Sequence, residues 1–360
     1  MTLVSSKTKI FSLILFLLMV ISTLSVGAHP EVKYDFRFGS FGSTDGLFNR
    51  PIDVEVYNNS LFVSDNGNDR IQKFDLQGNF IASFGGTGSG ATQLDYPGQI
   101  AINSTTVMVA DYTNHRIQMY DHNGAHIGSF GSNVLVSPWG IATDNKHIYV
   151  SDYLPFNIKM FDMSGNLVKN ITMKMSVYPY FLGVTQDYLY AAGNYYSSGV
   201  DIYDLTGNYV ANMSSYTYGR DNYGLGNTKA AYGIHITDNR IYVSDYSLNK
   251  INIYDRNNKF EYELSNADNL PHEMKNPAGM GSSATHLYIA DSGNNQIQAF
   301  SIIPETVTVT DTVISNVTIS ASNGILPSSL PFDFQFFTFS LILIVPIVRF
   351  YRKRKETSSV

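Results

Sequence analysis

At 360 residues, with 44% apolar and 15% charged side chains, the chain can build one large folded domain and is too apolar to be disordered. It has no cysteine, which excludes disulfides, thiolate metal sites and cysteine nucleophiles. The formal charge is −6; the two terminal segments carry seven basic and two acidic residues, so residues 29–331 keep 17 basic against 28 acidic, a net of −11. No nucleic-acid partner is expected of so acidic a region, because affinity for nucleic acid comes mainly from neutralising phosphates.

The chain opens with Lys7 and Lys9, an apolar run from Ile10 to Ile21, and the small-residue exit Val26-Gly27-Ala28. That order predicts a secretory signal peptide over residues 1–28. An uncleaved anchor is the alternative, and either one leaves the middle of the chain outside the cell.

A β-rich segment, Tyr34 to Gly42, comes next, and then a unit that recurs. Its copies begin at Leu61, Val107, Ile148, Leu189, Ile241 and Leu287. Aspartates align at Asp65, Asp111, Asp152, Asp245 and Asp291, with Gly193 in their place in the fourth copy, at spacings of 46, 41, 41, 52 and 46. Each copy reads as a strand, a polar turn, a second strand, a Gly/Asn turn such as Gln77-Gly78-Asn79, and a third strand. A further strand precedes each copy, usually opened by proline, as at Pro51, Pro97, Pro138, Pro179 and Pro277. Proline at a strand's first residue costs no ladder hydrogen bond.

Four antiparallel strands per 40–50 residues is a propeller blade. The last copy runs out at Ile302, without an outer strand. The segment around Phe36–Phe41 matches the endings Phe80 to Gly85 and His126 to Gly131, and so supplies the missing strand and closes the ring. The predicted fold is all-β, a six-bladed propeller over residues 29–304. The stretch between Tyr209 and Ala231 holds no further copy and reads as one long loop.

Residues 305–331, rich in Ser, Thr and Val, predict a stalk of at most about 90 Å. The alternation Thr306-Val307-Thr308-Val309-Thr310 would equally suit an added strand. Residues 332–350 are almost wholly apolar and predict a C-terminal transmembrane helix, with the basic residues of 351–360 held in the cytoplasm. A buried C-terminal helix is the alternative.

The pattern of Pro138-Trp139-Gly140-Ile141-Ala142, Tyr149-Val150-Ser151-Asp152, Asn68-Asp69-Arg70-Ile71-Gln72 and Phe84-Gly85 resembles the NHL repeat. Asn114-His115-Arg116-Ile117-Gln118 is the other close match; the fourth copy departs most, with Ala191-Ala192-Gly193. The resemblance covers roughly residues 34–303 and implies a six-bladed propeller. It implies no single activity: such domains bind protein, RNA or glycans, and related propellers include lyases and lactonases.

No catalytic constellation is legible. The eight histidines are scattered without metal-ligand spacing, and only His235 lies on a predicted inner strand. Asp65-Asn66-Gly67-Asn68-Asp69 lacks the distal glutamate of a calcium loop. The repeated aspartates read as scaffold, accepting backbone N–H bonds at the turns.

What remains is the loop face, where the turn after each aspartate and the approach to each inner strand gather. Tyr96, Tyr112, Trp139, Tyr153, Tyr180, Tyr195 and Tyr246 are the candidate ligand-binding face, with Phe156, Tyr178, Tyr196 and Tyr232 nearby. Packing between blades is the competing account of these rings. Sequons at Asn58, Asn103, Asn170, Asn212 and Asn316 are candidate glycosylation sites.

The sequence thus predicts a membrane-anchored binding, adhesion or receptor module for a protein or glycan, with no cofactor. The second reading is an extracellular propeller enzyme, of lyase or lactonase type, with a divalent cation in the central channel.

Overall fold

A computed structural model describes residues 32–174, 178–194, 199–213, 228, 230–268 and 270–303. Strand β1 (Val32–Phe38) comes first. The first blade holds β2 (Pro51–Tyr57), β3 (Ser60–Asp65), β4 (Arg70–Asp75) and β5 (Phe80–Gly85), and the second β6 (Pro97–Ile102), β7 (Val107–Asp111), β8 (Arg116–Tyr120) and β9 (His126–Phe130). The third holds β10 (Pro138–Thr143), β11 (His147–Asp152), β12 (Asn157–Asp162) and β13 (Leu167–Thr172). The fourth holds β14 (Tyr178–Val184), β15 (Tyr188–Asn194), β16 (Gly199–Asp204) and β17 (Tyr209–Met213). The fifth holds β18 (Ala231–Ile236), β19 (Arg240–Asp245), β20 (Lys250–Asp255) and β21 (Phe260–Ser265). In the sixth, β22 (Pro277–Ser282), β23 (His286–Asp291) and β24 (Gln296–Ile302) are completed by β1, paired from Val32↔Ile302 to Phe38↔Ile297.

The described residues therefore form a six-bladed propeller of four-stranded antiparallel sheets, closed by its first strand. Inner strands β2, β6, β10, β14, β18 and β22 each touch the next around the ring, and β22 returns to β2. The closing strand stops sooner than its sequence match implied. Gly39 turns at φ +84°, and a Cβ there would sit 2.3 Å from the Phe48 ring, so the chain leaves the sheet. Phe41 lies outside the strand, 72% exposed, and only bridges to Phe48.

Burial explains the pattern of residue types. Inner and middle strands are covered on both faces and read as apolar runs, whereas the outer strands β5 and β13 are largely open to solvent. The core is a set of interblade layers. Phe62 and Ile71 of the first blade meet Ile100, Val109 and Tyr120 of the second; Met108 and Ile117 of the second meet Ile141, Val150 and Phe161 of the third. Each such side chain contributes about 1.5–3 kcal/mol by leaving water, so the apolar layers hold the ring together.

Polar groups then set the geometry. Asp65, Asp111, Asp152, Asp245 and Asp291 are fully buried at the ends of the second strands. Asp65 accepts the Asn49 N–H at 2.8 Å from the loop leading into its own inner strand, and on the other side Asn68 Nδ2, Arg70 Nε and Gln72 Nε2 at 2.8–2.9 Å. Asp111 repeats this with the Asp95 N–H, Asn114 and Arg116. Asp291 repeats it with the Lys275 N–H, Asn294, Gln296 and Gln298. Asp152 accepts the Val136 and Ser137 N–H groups and pairs with Lys159 at 3.1 Å. Asp245 accepts the N–H groups of Ser247 and Leu248. Burial pushes the Asp111 carboxyl up, against the pull of the Asp95 N–H and of Arg116. Arg70 and Arg116 carry the clamp outward, each donating to two carbonyls of the preceding loop through Nη2.

In the fourth blade Gly193 leaves the clamp without a carboxylate. Asp201, on the adjacent strand, is buried there and accepts Asn212 Nδ2 at 2.8 Å and the Tyr203 hydroxyl at 3.2 Å. Among the sequons, Asn58 and Asn170 are exposed, the Asn103 carbonyl caps its own turn, and the Asn212 amide is engaged with Asp201. Asn316, the signal peptide, the stalk, the transmembrane segment, the tail and residues 214–227 of the long loop lie outside the described residues. No helix among the described residues is long and apolar enough to cross a membrane.

Removing one clamp carboxylate leaves a loop N–H unpaired and strips the guanidinium of its buried charge partner. Asp65→Ala is expected to cost about 3 kcal/mol in chemical denaturation, and Ala at the exposed Asp238 less than about 0.5 kcal/mol. Equal midpoints for the two variants would remove the clamp from the account of stability.

Candidate ligand pocket at the loop face

Three positions of the repeat converge where the inner strands begin. One is the residue before the inner strand, Arg50 and Tyr96. Another lies one residue past the strand-opening proline or its equivalent, at Trp139, Tyr180 and Tyr232. The last directly follows the clamp aspartate, at Tyr112, Tyr153 and Tyr246. Together they line a cavity of about 390 Å³.

The rings form a continuous chain. Tyr112 meets Trp139 edge-on at 5.2 Å, Trp139 meets Tyr180 at 6.2 Å, Tyr180 stacks on Tyr232 at 4.6 Å, and Tyr232 stacks on Tyr246 at 5.0 Å. Tyr153 leans on Tyr180 at 5.8 Å. Trp139 and Tyr232 are buried, Tyr112, Tyr153, Tyr180 and Tyr246 half-buried, and Tyr96 is 45% exposed. The rings pack on one another, as the packing account expects, and also present a common concave surface. Tyr195 and Tyr196, and the Tyr178 side chain, lie outside the described residues; Phe156 contacts Tyr153 from behind.

The wall is asymmetric. Aromatic residues come from blades two to five. Blades six and one place Asn276, Ala278, Ser292, Ile52 and Asn66 at the corresponding positions, and add Arg50. Sequence reasoning passed over Arg50; its place immediately before Pro51, matching Tyr96 before Pro97, was the available signal.

Arg50 and Tyr96 are held in left-handed conformations at φ 57° and 56°. Their backbone N–H groups are fixed by Asn295 Oδ1 at 2.7 Å and Asp69 Oδ1 at 2.9 Å. Asn276 occupies the same position in the sixth blade at φ 51°, its N–H held by Asn249 Oδ1. Asparagine tolerates that conformation; for arginine and tyrosine it stores on the order of 1–3 kcal/mol each.

Two electrostatic features mark the wall. Trp139 Nε1 is buried and makes no close hydrogen bond; the Tyr232 phenol is the acceptor it faces. Burial pushes the Tyr232 phenol far up, and the Arg50 charge opposes this most, so the guanidinium field reaches that ring.

At the other end of the inner strands lies a smaller cavity of about 180 Å³, whose walls include Glu55, Gln99, Leu182 and His235. Gln99 crosses from the second blade to the fourth: Oε1 accepts the Ile141 and Leu182 N–H groups at 2.9 Å, and Nε2 donates to the Leu182 carbonyl at 2.8 Å. Asp53 stands where the third, fifth and sixth blades have glycine, and Gly279 makes room for it: a Cβ there would lie 2.0 Å from Asp53 Oδ1. Burial raises the Asp53 carboxyl to about 8, against the N–H bonds from Ile100 and Val54. Burial, and then the Asp53 charge, raise Glu55 well above the carboxylate range. The two carboxyls lie close enough to titrate together, and burial favours the protonated form of each. His235 Nε2 is hydrogen-bonded to the Ser282 hydroxyl at 2.8 Å, and burial lowers its pKa to about 4.

No protein-family model matches the chain, and no curated protein matches it. Solved structures do. A protein of unknown function from Bacteroides thetaiotaomicron superposes with a TM-score of 0.63 at 13% identity, over 76% of each chain. Streptogramin B lyase gives 0.53 at 14% identity over 75% of this chain and 97% of its own. Virginiamycin B lyase from Staphylococcus aureus gives 0.51 at 14% over 76% of this chain and 100% of its own. At such identities the likeness is one of fold.

Two stability measurements test these assignments. Between about pH 4 and pH 8 the folded chain keeps a channel proton that the unfolded chain has lost, so this pair's contribution to stability falls as pH rises. Glu55→Gln mimics the protonated acid and should lose less melting temperature than wild type between about pH 5 and pH 8; equal losses would count against the paired carboxylates. Arg50→Asn is expected to raise stability by about 1 kcal/mol in chemical denaturation by relieving the left-handed strain, and a lowered midpoint would show that Arg50 is not strained.

Proposed function

We propose that the chain is a cell-surface binding module of NHL-repeat type, whose aromatic pocket captures a protein or glycan ligand. The N-terminal signal sequence and the apolar C-terminal segment support display of the propeller outside the membrane. The observation that carries the reading is the single cavity on which Trp139, Tyr180, Tyr232 and the three tyrosines after clamp aspartates converge. Rigid rings with polar tips give a large contact area at low entropic cost. Its strained approach residues are a feature that a merely structural packing of rings does not require.

The enzyme reading takes its support from the fold likeness to lyases and from the perturbed Asp53, Glu55 and His235 at the narrow cavity. A divalent cation does not fit those residues. Asp53 spends both oxygens on backbone N–H groups, His235 Nε2 is taken by Ser282, and among the described residues no group of His, Asp or Glu is arranged to hold an ion. No catalytic step is derived through one.

The chain's one tryptophan lies in the pocket, so its fluorescence reports occupancy. With ligands selected by the full-length chain on glycan and peptide arrays, Tyr153→Ala and Tyr246→Ala are expected to weaken binding at least about tenfold, the loss typical of a central interface aromatic. Their melting temperatures should stay near wild type, since both rings are half-buried. Trp139→Ala, which empties a buried site, should lower both. Unchanged affinity in the two tyrosine variants would overturn the pocket reading.

A further inference from the structure

The pocket's ligand class can be narrowed, on the reading that this pocket is the binding site. An aromatic cage by itself suits a cation such as a quaternary ammonium, through attraction to the ring faces. This cage has a guanidinium in its wall. Among the described residues the Arg50 side chain has no ion pair or hydrogen bond; only its backbone N–H is engaged, with Asn295. It is held over the cavity in a conformation unfavourable for arginine, at a position where the sixth blade has an asparagine that adopts it readily. A guanidinium repels a cation and presents a planar fork of donors to a carboxylate.

The opposite wall complements a ring with apolar faces and hydroxyl edges. Tyr180 and Tyr232 supply stacked rings, and the half-buried tyrosines supply polar edges. A cavity of about 390 Å³ admits one or two sugar rings. We propose that the pocket recognises an acidic sugar, its carboxylate on Arg50 and its ring against the aromatic crescent.

The test is a titration of Trp139 fluorescence in the full-length chain near neutral pH, using trigalacturonic acid, its methyl ester and tetramethylammonium. The trimethyl ester replaces each carboxylate by a neutral ester carrying one added methyl group. Wild type is expected to bind the acid at least about tenfold more tightly than the ester, the scale of one charge-assisted hydrogen-bonded pair. Arg50→Asn keeps a residue suited to the left-handed position; it should abolish that preference and leave the ester's affinity within about twofold. Equal binding of acid and ester by wild type would overturn the acidic-sugar inference while leaving the pocket reading intact. An acid preference that persists in Arg50→Asn would overturn the role of Arg50. Binding of tetramethylammonium in preference to either sugar, or no response to any sugar, would overturn the ligand class, and the tyrosine variants above then decide the pocket reading separately.

Discussion

The buried carboxylate at the end of the second strand in five of the six blades is the constraint on which this propeller depends. Apolar layers between blades supply most of the cohesion, but they are non-directional and would tolerate sliding. The clamp is directional. A single aspartate such as Asp65 ties the loop that enters its own inner strand to the strand that follows it, through one backbone N–H and several side chains. A charge taken wholly out of water must be met by such donors, so its partners cannot drift. Blade four keeps this logic after losing the aspartate: Asp201 brings a buried carboxylate to the neighbouring strand, with Asn212 and Tyr203 as donors.

The clamp also aims the site. The residue after the aspartate leaves a fixed strand end and can only project over the mouth of the ring. Where it is Tyr112, Tyr153 or Tyr246 it becomes pocket wall; where it is Asn66 or Ser292 it is buried polar scaffold. One structural device therefore supplies both rigidity and the placement of the candidate recognition residues. Such pre-organisation would lower the cost of ordering side chains in the proposed recognition.

Much of this was legible because it is local. Period-two strands, Gly/Asn turns and strand-opening prolines repeat at nearly fixed intervals, and the unmatched segment at the N-terminus announced ring closure. The aromatic residues stood out because they sit at constant offsets from the repeated aspartates. Arg50, Asp53 and Gln99 were not legible, since each is ordinary in its own stretch of sequence. Their roles come from closure, which brings residue 50 beside residue 232 and residue 99 beside residue 182. Signals did exist: Arg50 precedes Pro51 as Tyr96 precedes Pro97, and, aligned on the inner strands, Asp53 and Gln99 replace the glycine seen at Gly140, Gly233 and Gly279, where a polar side chain at such a close backbone approach has to go somewhere.

Departures from the repeat are thus the informative residues in a ring of near-identical blades. Six equal blades would give a symmetric mouth, suited to nothing in particular. Here the aromatic positions are filled over blades two to five and left small or polar over blades six and one, where Arg50 stands instead. The narrow end is broken differently, by Glu55, Gln99 and His235. Asp53 and Gln99 answer to backbone N–H groups that the ring must satisfy, and His235 to a serine hydroxyl. The Arg50 side chain answers to no hydrogen bond or ion pair inside the described chain. Polar groups whose partners are internal belong to the scaffold; a charge without one, on a strained backbone in an aromatic wall, marks the residue on which the proposed recognition rests.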